Sequence, residues 1–320
     1  CIRDRLTTNG RPKKIGQLNL YTNTVWTQKR EFLDEALWNI DLYRRLQEDA
    51  GGVGGGVEST AHPRPAEASW QESLLVGAFR ADPETSYRYA AVAAKASRLL
   101  DQHPRAAEFR ESAQRAWQWA EANAEIEIQA AKDRKAKRAN SIDKAVREMK
   151  ALAAIELFRL TRDPSYHDAF LQLDRDVLSD GDIAMSYALL DSGEAHPDCR
   201  RSAIDMITDA ADTALEFSEQ NGFNISLYIR TLPMMGYTCL WSTPGGTLPP
   251  VLPRAHYLTG DDRYLAGTVA SCQYSGGANP MNMSYTTGIG PRHPLAPLHI
   301  DHRVSGQRAP AGITAVSYTH

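Results

Sequence analysis

Leu160-Thr161-Arg162-Asp163-Pro164-Ser165-Tyr166 is the stretch that decides how this chain is built. It returns as Leu258-Thr259-Gly260-Asp261-Asp262-Arg263-Tyr264, and more loosely from Ala81-Asp82-Pro83 to Tyr87. Each copy reads as the end of one helix, a tight turn opened by Asp, and a new helix with an inward Tyr at its start. Asp suits the place because its carboxylate can bond to backbone N–H groups a few residues on. Repeated helix pairs joined by like turns imply a helical array.

The flanking segments carry the helical period of apolar residues. From Glu31 to Gln47, Leu33, Ala36, Leu37, Ile40, Tyr43 and Leu46 recur at three and four. Ser86 to Leu100 and Glu108 to Asn123 are Ala-rich and amphipathic. Lys144 to Leu160 is apolar over more than one stripe, which predicts a helix packed on two sides. Further helices are expected over Ser165 to Val177, Asp198 to Glu219, roughly Pro233 to Trp241, Leu252 to Tyr257 and Arg263 to Gly276. No alternating β-run appears, and no strict period suits an open solenoid. A closed ring needs no capping repeats. The expected fold class is therefore all-α, an α/α toroid.

A net charge of -3 with 23% charged residues argues against a surface built wholly for nucleic acid. Lys132 to Arg138 is a mixed run with basic excess but no interleaved aromatics, and reads as a solvated helix face. The four cysteines show no metal-type spacing and are too sparse for a disulfide framework. No apolar run is long enough to span a membrane, and no signal peptide is visible. Residues 1–30 carry no hydrophobic period leading into the first helix and read as a non-native-looking or disordered segment. Residues 314–320 read as a non-native-looking tail.

Two irregular regions remain. The run Gly51-Gly52-Val53-Gly54-Gly55-Gly56 lacks the lysine and the strand-to-helix context of a phosphate loop, so close backbone approach is the expected reason for it. Beyond it, His62 and Glu67 are candidates for a cleft rim, and Trp70 comes next. The second region, Ala278 to Gly312, reads ANPMNMSYTTGIGPRHPLAPLHIDHRVSGQRAPAG. Gly and Pro punctuate it too densely for a long helix or central strand, and a polar loop of that length points to binding or catalysis.

Asn279-Pro280, the run Ser284-Tyr285-Thr286-Thr287-Gly288-Ile289-Gly290 and the His/Arg loop after it resemble the signature region of glycoside hydrolase family 9. Leu33-Asp34-Glu35-Ala36, opening a helix that ends near a glycine-led loop, is similar to another stretch of that family. So are Tyr89 to Ser97, Ala113 to Trp119 and Leu157 to His167. The resemblance covers about Phe32 to Gly312 and implies an (α/α)6 barrel, here a partial domain over residues 31–313.

For function, the resemblance implies inverting hydrolysis of a β-1,4-glucan such as cellulose, or of a related polysaccharide. One carboxylate would protonate the leaving oxygen and another would activate water. The family's paired Asp residues have no counterpart in the first 29 residues, and its acidic Glu falls beyond the signature loop. The catalytic acid and base are thus expected outside the segment, and the fragment itself is expected to be inactive.

His299, His302 and Arg303 fall where the family holds the sugar, with His299 the first choice because Leu298 precedes it. His293 and Tyr285 complete that loop's set. Trp70 and Trp241 suit stacking on a glucose face, with Tyr237 and His256 in the same class. His62 joins them from the earlier loop. Asp34 complements its helix dipole and is not read as the base.

No cofactor is expected, with structural calcium left open. The expected partner is a polysaccharide or oligosaccharide, with no nucleic acid and no membrane span, in a monomeric, secreted or periplasmic protein. The alternatives are a non-catalytic carbohydrate-binding α/α-toroid protein and a polysaccharide lyase on the same fold.

Overall fold

The computed structural model describes residues 7, 8, 11, 12, 36–61, 67–71, 73–133, 139–220, 222–224, 250–297 and 300–312. The expected helix at 233–241, the basic run at 134–138, the tail 314–320 and most of segment 1–30 lie outside them.

The described elements are mostly helical. Helix α1 covers 36–45. It is succeeded by α2 (Pro83–Leu99), α3 (Ala106–Asp133), α4 (Ala139–Thr161), α5 (Pro164–Leu171), α6 (Gly181–Ala188), α7 (Pro197–Glu219), α8 (Val251–Thr259), α9 (Asp262–Gly276) and α10 (Ile300–Ser305). Two short hairpins accompany them. β1 (Thr7–Thr8) pairs with β2 (Arg11–Pro12), and β3 (Val57–Ser59) pairs antiparallel with β4 (Val76–Ala78), Glu58 lying opposite Gly77.

The turns that suggested the array are built alike. Asp82, Asp163 and Asp261 are the N-caps of α2, α5 and α9, and their carboxylates accept from the N–H of Thr85 (2.8 Å), Ser165 (2.9 Å) and Arg263 (2.9 Å). Each satisfies a donor that a helix start leaves open. In the two closest copies the match extends backwards. Thr161 donates to Leu157 O at 2.8 Å and accepts from Asp163 N at 3.2 Å. Thr259 does the same with Ala255 O at 2.7 Å and Asp261 N at 3.1 Å. The residue between Thr and Asp must turn left-handed, and Arg162 (φ 62°) and Gly260 (φ 71°) both do.

The tyrosines point inward as expected. Tyr87 and Tyr264 are buried, and Tyr166 packs edge-on against Trp117 with ring centres 5.5 Å apart.

Helix α2 packs on both α3 and α4, and α4 also packs on α5 and α6; contacts continue from α6 to α7, α7 to α8 and α8 to α9. Alanines 90, 91, 93 and 94 of α2 are all buried, so its backbone lies close to its neighbours. Burial of Val146, Met149, Ala151, Ala153, Ile155, Leu157 and Phe158 confirms that α4 is covered on more than one side.

Within that core lies Glu156, 1% exposed, which accepts from Arg98 (3.1 Å), Arg159 (3.0 Å) and Ser186 (2.8 Å). The carboxylate ties α2, α4 and α6 together. Removing one partner of such a pair costs about 3–5 kcal/mol, because the other charge stays buried.

Some boundaries differ from the sequence reading. The helix expected to stop at Asn123 runs on to Asp133, because the Asn123 amide donates to Trp119 O (2.8 Å) within the helix, and Ile128 and Ala131 continue its buried face. The helix expected over 165–177 ends at Leu171 and gives way to a 3-10 turn at Arg175–Ser179. Asp180 then caps α6, a helix the sequence reading omitted, by accepting from Asp182 N (2.8 Å) and Ile183 N (3.1 Å).

The left-handed turn can be tested through stability. A Cβ on Gly260 would meet nothing within 4 Å, so the cost of Gly260→Ala is purely that of the left-handed backbone, about 1 kcal/mol. Arg162→Gly, at the equivalent place, should cost less than this or be neutral. Urea midpoints compare them, and equal losses would dissociate the turn from its backbone angle.

Asp41 supplies a second test. Burial would raise its pKa, but hydrogen bonds from Arg45 (3.0 Å), Arg105 (2.6 Å) and Arg44 (3.1 Å) outweigh that and hold the carboxyl well below the usual carboxylate range. A carboxyl depressed in the fold stabilises above its unfolded pKa, about 4, and that contribution is lost as pH falls towards the folded value. The stability gap between the wild type and Asp41→Asn should therefore be full at pH 7 and shrink below about pH 4. A gap independent of pH from 7 to 2 contradicts this origin.

Candidate functional site

The glycine run is a close-approach loop. A Cβ on Gly52 would lie 2.5 Å from the Trp119 ring, and one on Gly54 would lie 2.1 Å from Phe79 O. The amide of Gln47 donates to Gly51 O (2.9 Å) and Ser112 O (3.0 Å), and the buried Val53 N donates to Ser86 Oγ (2.9 Å). The loop is thus laid flat on α2 and α3, and the β3–β4 hairpin rises from it. Leu75, Val76 and Phe79 on that hairpin are exposed, as is Trp70 on the 3-10 turn Ser69–Gln71.

The second region continues directly from α9. Asn279 is buried, and its amide donates to Tyr274 O (2.7 Å) and Met283 O (2.8 Å) while its carbonyl accepts from Met281 N (3.1 Å). Ser284 N donates to Arg292 O (2.9 Å) and Tyr285 N to Ser275 O (3.0 Å). The Tyr285 ring packs edge-on against Tyr274, which in turn meets Phe223. Short as it is in regular structure, the region has a small core of its own.

The predicted site residues fall into three groups. His293, His302 and Arg303 share this one loop, with His302 and Arg303 in the last turn of α10. His293 Nδ1 faces Gly290 O at 3.0 Å and His302 Nδ1 faces Gln307 O. A carbonyl only accepts, so each neutral ring carries its proton on Nδ1. Tyr285 is brought to the same loop but lies inside it, 5% exposed, as part of its packing. Trp70 lies on the 3-10 turn Ser69–Gln71, 52% exposed. His62, Trp241 and His299 lie outside the described residues, as do Tyr237 and Asp34.

His256, in the weaker class, places Nδ1 3.1 Å from Asp261 O and so braces the turn between α8 and α9. Phe79 is half-exposed and was passed over in the sequence. Its only local signal is an aromatic residue beside Gly77 and Ala78, ahead of the Asp82 turn.

A cavity of about 280 Å³ lies elsewhere, lined by Phe170, Val177, Leu178, His196 and Cys199 among others. Beside it His167 is packed among Phe158, Phe170 and Tyr187, with its Nε2 2.9 Å from Tyr187 Oη. Burial lowers the His167 pKa and pushes the Tyr187 hydroxyl up to about 12, so at neutral pH both are uncharged packing groups. Among the described residues, none from 278 to 312 lines this cavity. Among the described residues there is no cluster of His, Cys, Asp and Glu able to hold a metal, and no helix long and apolar enough to cross a membrane.

This arrangement of helices and loops has counterparts among known proteins. The family model for glycosyl hydrolase family 9 matches residues 15–313. The chain is similar to a metagenome-derived glycoside hydrolase family 9 endoglucanase, with a TM-score of 0.70 at 20% identity over 86% of this chain and 51% of that one. A family 9 protein from Bacteroides ovatus aligns with a TM-score of 0.68 at 19% identity, covering 88% and 55% respectively. The endoglucanase J30 gives 0.67 at 18%, covering 91% and 55%. No curated protein matches by sequence. At these identities the likeness is one of fold, the (α/α)6 barrel, and the chain spans about half the length of those structures.

Asn279 supplies the prediction for this loop. Asn279→Asp replaces a buried amide that donates twice with a group that can only accept when ionised. Two carbonyls lose their donor, so limited proteolysis within 280–312 should speed up by about tenfold or more, consistent with about 1–3 kcal/mol for buried groups left unsatisfied. An unchanged cleavage rate would mean that the amide does not brace the loop.

Proposed function

The chain belongs to glycosyl hydrolase family 9, and from that membership we propose that it is the sugar-holding portion of a secreted or periplasmic glycoside hydrolase acting on a β-1,4-glucan or a related polysaccharide. The observation that supports this reading is the braced loop 278–312, which carries His293, His302 and Arg303 within the family-matched span. A ring hydroxyl both donates and accepts, and so suits a loop that offers imidazole and guanidinium groups together. Trp70 and Phe79, both about half exposed, are aromatic residues suited to the flat side of a glucose ring.

Inverting hydrolysis needs two carboxyl groups about 6.5–9.5 Å apart, one to protonate the leaving oxygen and one to activate water. Three carboxylates that this chain engages firmly do not suit those roles. Glu156 is buried under Arg98, Arg159 and Ser186, and Asp41 is held by three arginines. Glu121 is engaged by the Tyr87 hydroxyl and by Lys150 at 2.8 Å. The reading therefore assigns the acid and base to parts of the family fold that these residues do not supply. The loop's work is to seat the sugar and hold it still, which contributes to rate by orientation.

Calorimetric titration of the 320-residue chain with cellotetraose, run beside a reducing-sugar assay, tests the proposal. Binding with little or no turnover is expected, since a positioned acid and base each supply about 10²–10⁴-fold. Replacing His302 and Arg303 together by Ala should weaken binding by about tenfold or more, equivalent to about 1.4 kcal/mol. Absence of binding, or binding indifferent to the double replacement, would sink the reading, and clear turnover would refute the assignment of the acid and base.

A further inference from the structure

The sequence run Thr287-Gly288-Ile289-Gly290 invites a ligand-binding interpretation, but the structure uses it differently. Thr287 is 3% exposed. Its hydroxyl donates to Pro310 O at 2.7 Å, and its carbonyl accepts from Gly312 N at 2.8 Å. One residue thus grips the returning strand of the loop on both sides.

Gly288 permits the approach. Its φ is +75°, and a Cβ there would sit 2.6 Å from Ala311 Cβ, closer than two carbons can come. Gly290, with φ +73°, turns the chain back so that Ser284 N reaches Arg292 O at 2.9 Å. The two glycines are spaced to close a loop.

His293, His302 and Arg303 all lie between residues 288 and 309. Helix α10, which carries two of them, has six residues and is too short to hold itself. Local bonds shape it: Ser305 Oγ donates to Asp301 O (2.5 Å), Gly306 N to His302 O (3.0 Å) and Gln307 N to Ser305 Oγ (3.2 Å). Thr287 fixes where the returning end of the segment, Pro310 to Gly312, meets the start of the loop.

We propose that Thr287 is a positioning residue whose hydroxyl and carbonyl clasp the base of this loop and so hold His293, His302 and Arg303 in place for a sugar. The part concerning sugar rests on the function proposed above.

The test uses the whole chain with Thr287→Val, Thr287→Ala and Thr287→Ser. Valine keeps the shape and loses the hydroxyl, alanine guards against misfolding by removing bulk as well, and serine restores the hydroxyl. Two readouts are taken: cellotetraose affinity, and the NMR signals of ring-labelled histidines. With thermal unfolding near wild type, the Val and Ala forms should bind about tenfold more weakly, the loss expected from one buried hydrogen bond, while Ser recovers most of the affinity.

The signals of His293 and His302 should shift or broaden in Val and Ala and return in Ser, with half-buried His167, outside this loop, unmoved as the internal control. Unchanged signals and affinity in Val and Ala overturn the clasp. If the wild type does not bind cellotetraose, the proposed function falls, and the histidine signals alone decide the clasp: disturbance rescued by Ser supports it, and constancy overturns it.

Discussion

A ring of helices depends on how each helix stops and the next begins. Every end leaves backbone groups without partners, and a toroid multiplies the ends. In this chain the Thr-x-Asp turn meets that constraint within a few residues. Thr161 and Thr259 bond back into the finished helix and accept from the Asp two positions on. The Asp caps the next helix, and a left-handed residue between them reverses the chain. Helices α4 with α5, and α8 with α9, are set by this one device, and Asp82 starts α2 with its capping half.

On that frame two kinds of polar arrangement coexist. The buried Glu156 cluster is structural: its donors come from three helices, and its exposure is 1%. The loop after α9 is polar for another reason. Its internal groups, Asn279, Ser284 and Thr287, are buried and bonded to backbone, while Arg303 is exposed and His293 and His302 remain partly so. With only the six-residue α10 as regular structure, the loop is braced by its own side chains, which replace the missing ladder bonds.

Much of this was legible in the sequence where the cause is local. The Asp turns, the inward tyrosines and the two-sided burial of α4 all have signals within one or two helical turns. Where a distant partner decides, the sequence misled or was silent. Asn123 looked like a stop but bonds inside α3. Helix α6 has only eight residues and begins at Gly181, so its period is too short to read. The site divides in the same way. His293, His302 and Arg303 could be grouped because they are near in sequence. Tyr285 looked equally available, yet Tyr274 covers it. Thr287 gave no hint of its role, since its partners are main-chain groups more than twenty positions away, and main-chain acceptors carry no sequence signature.

The central claim is that the loop from Ala278 to Gly312 is the part of this family 9 chain that holds sugar. The most direct measurement is a crystal structure of the chain soaked in cellotetraose. The account predicts a glucose ring within hydrogen-bonding distance of His302 or Arg303, with the loop unmoved. A sugar bound only elsewhere, for instance in the cavity beside His196 and Cys199, would contradict it.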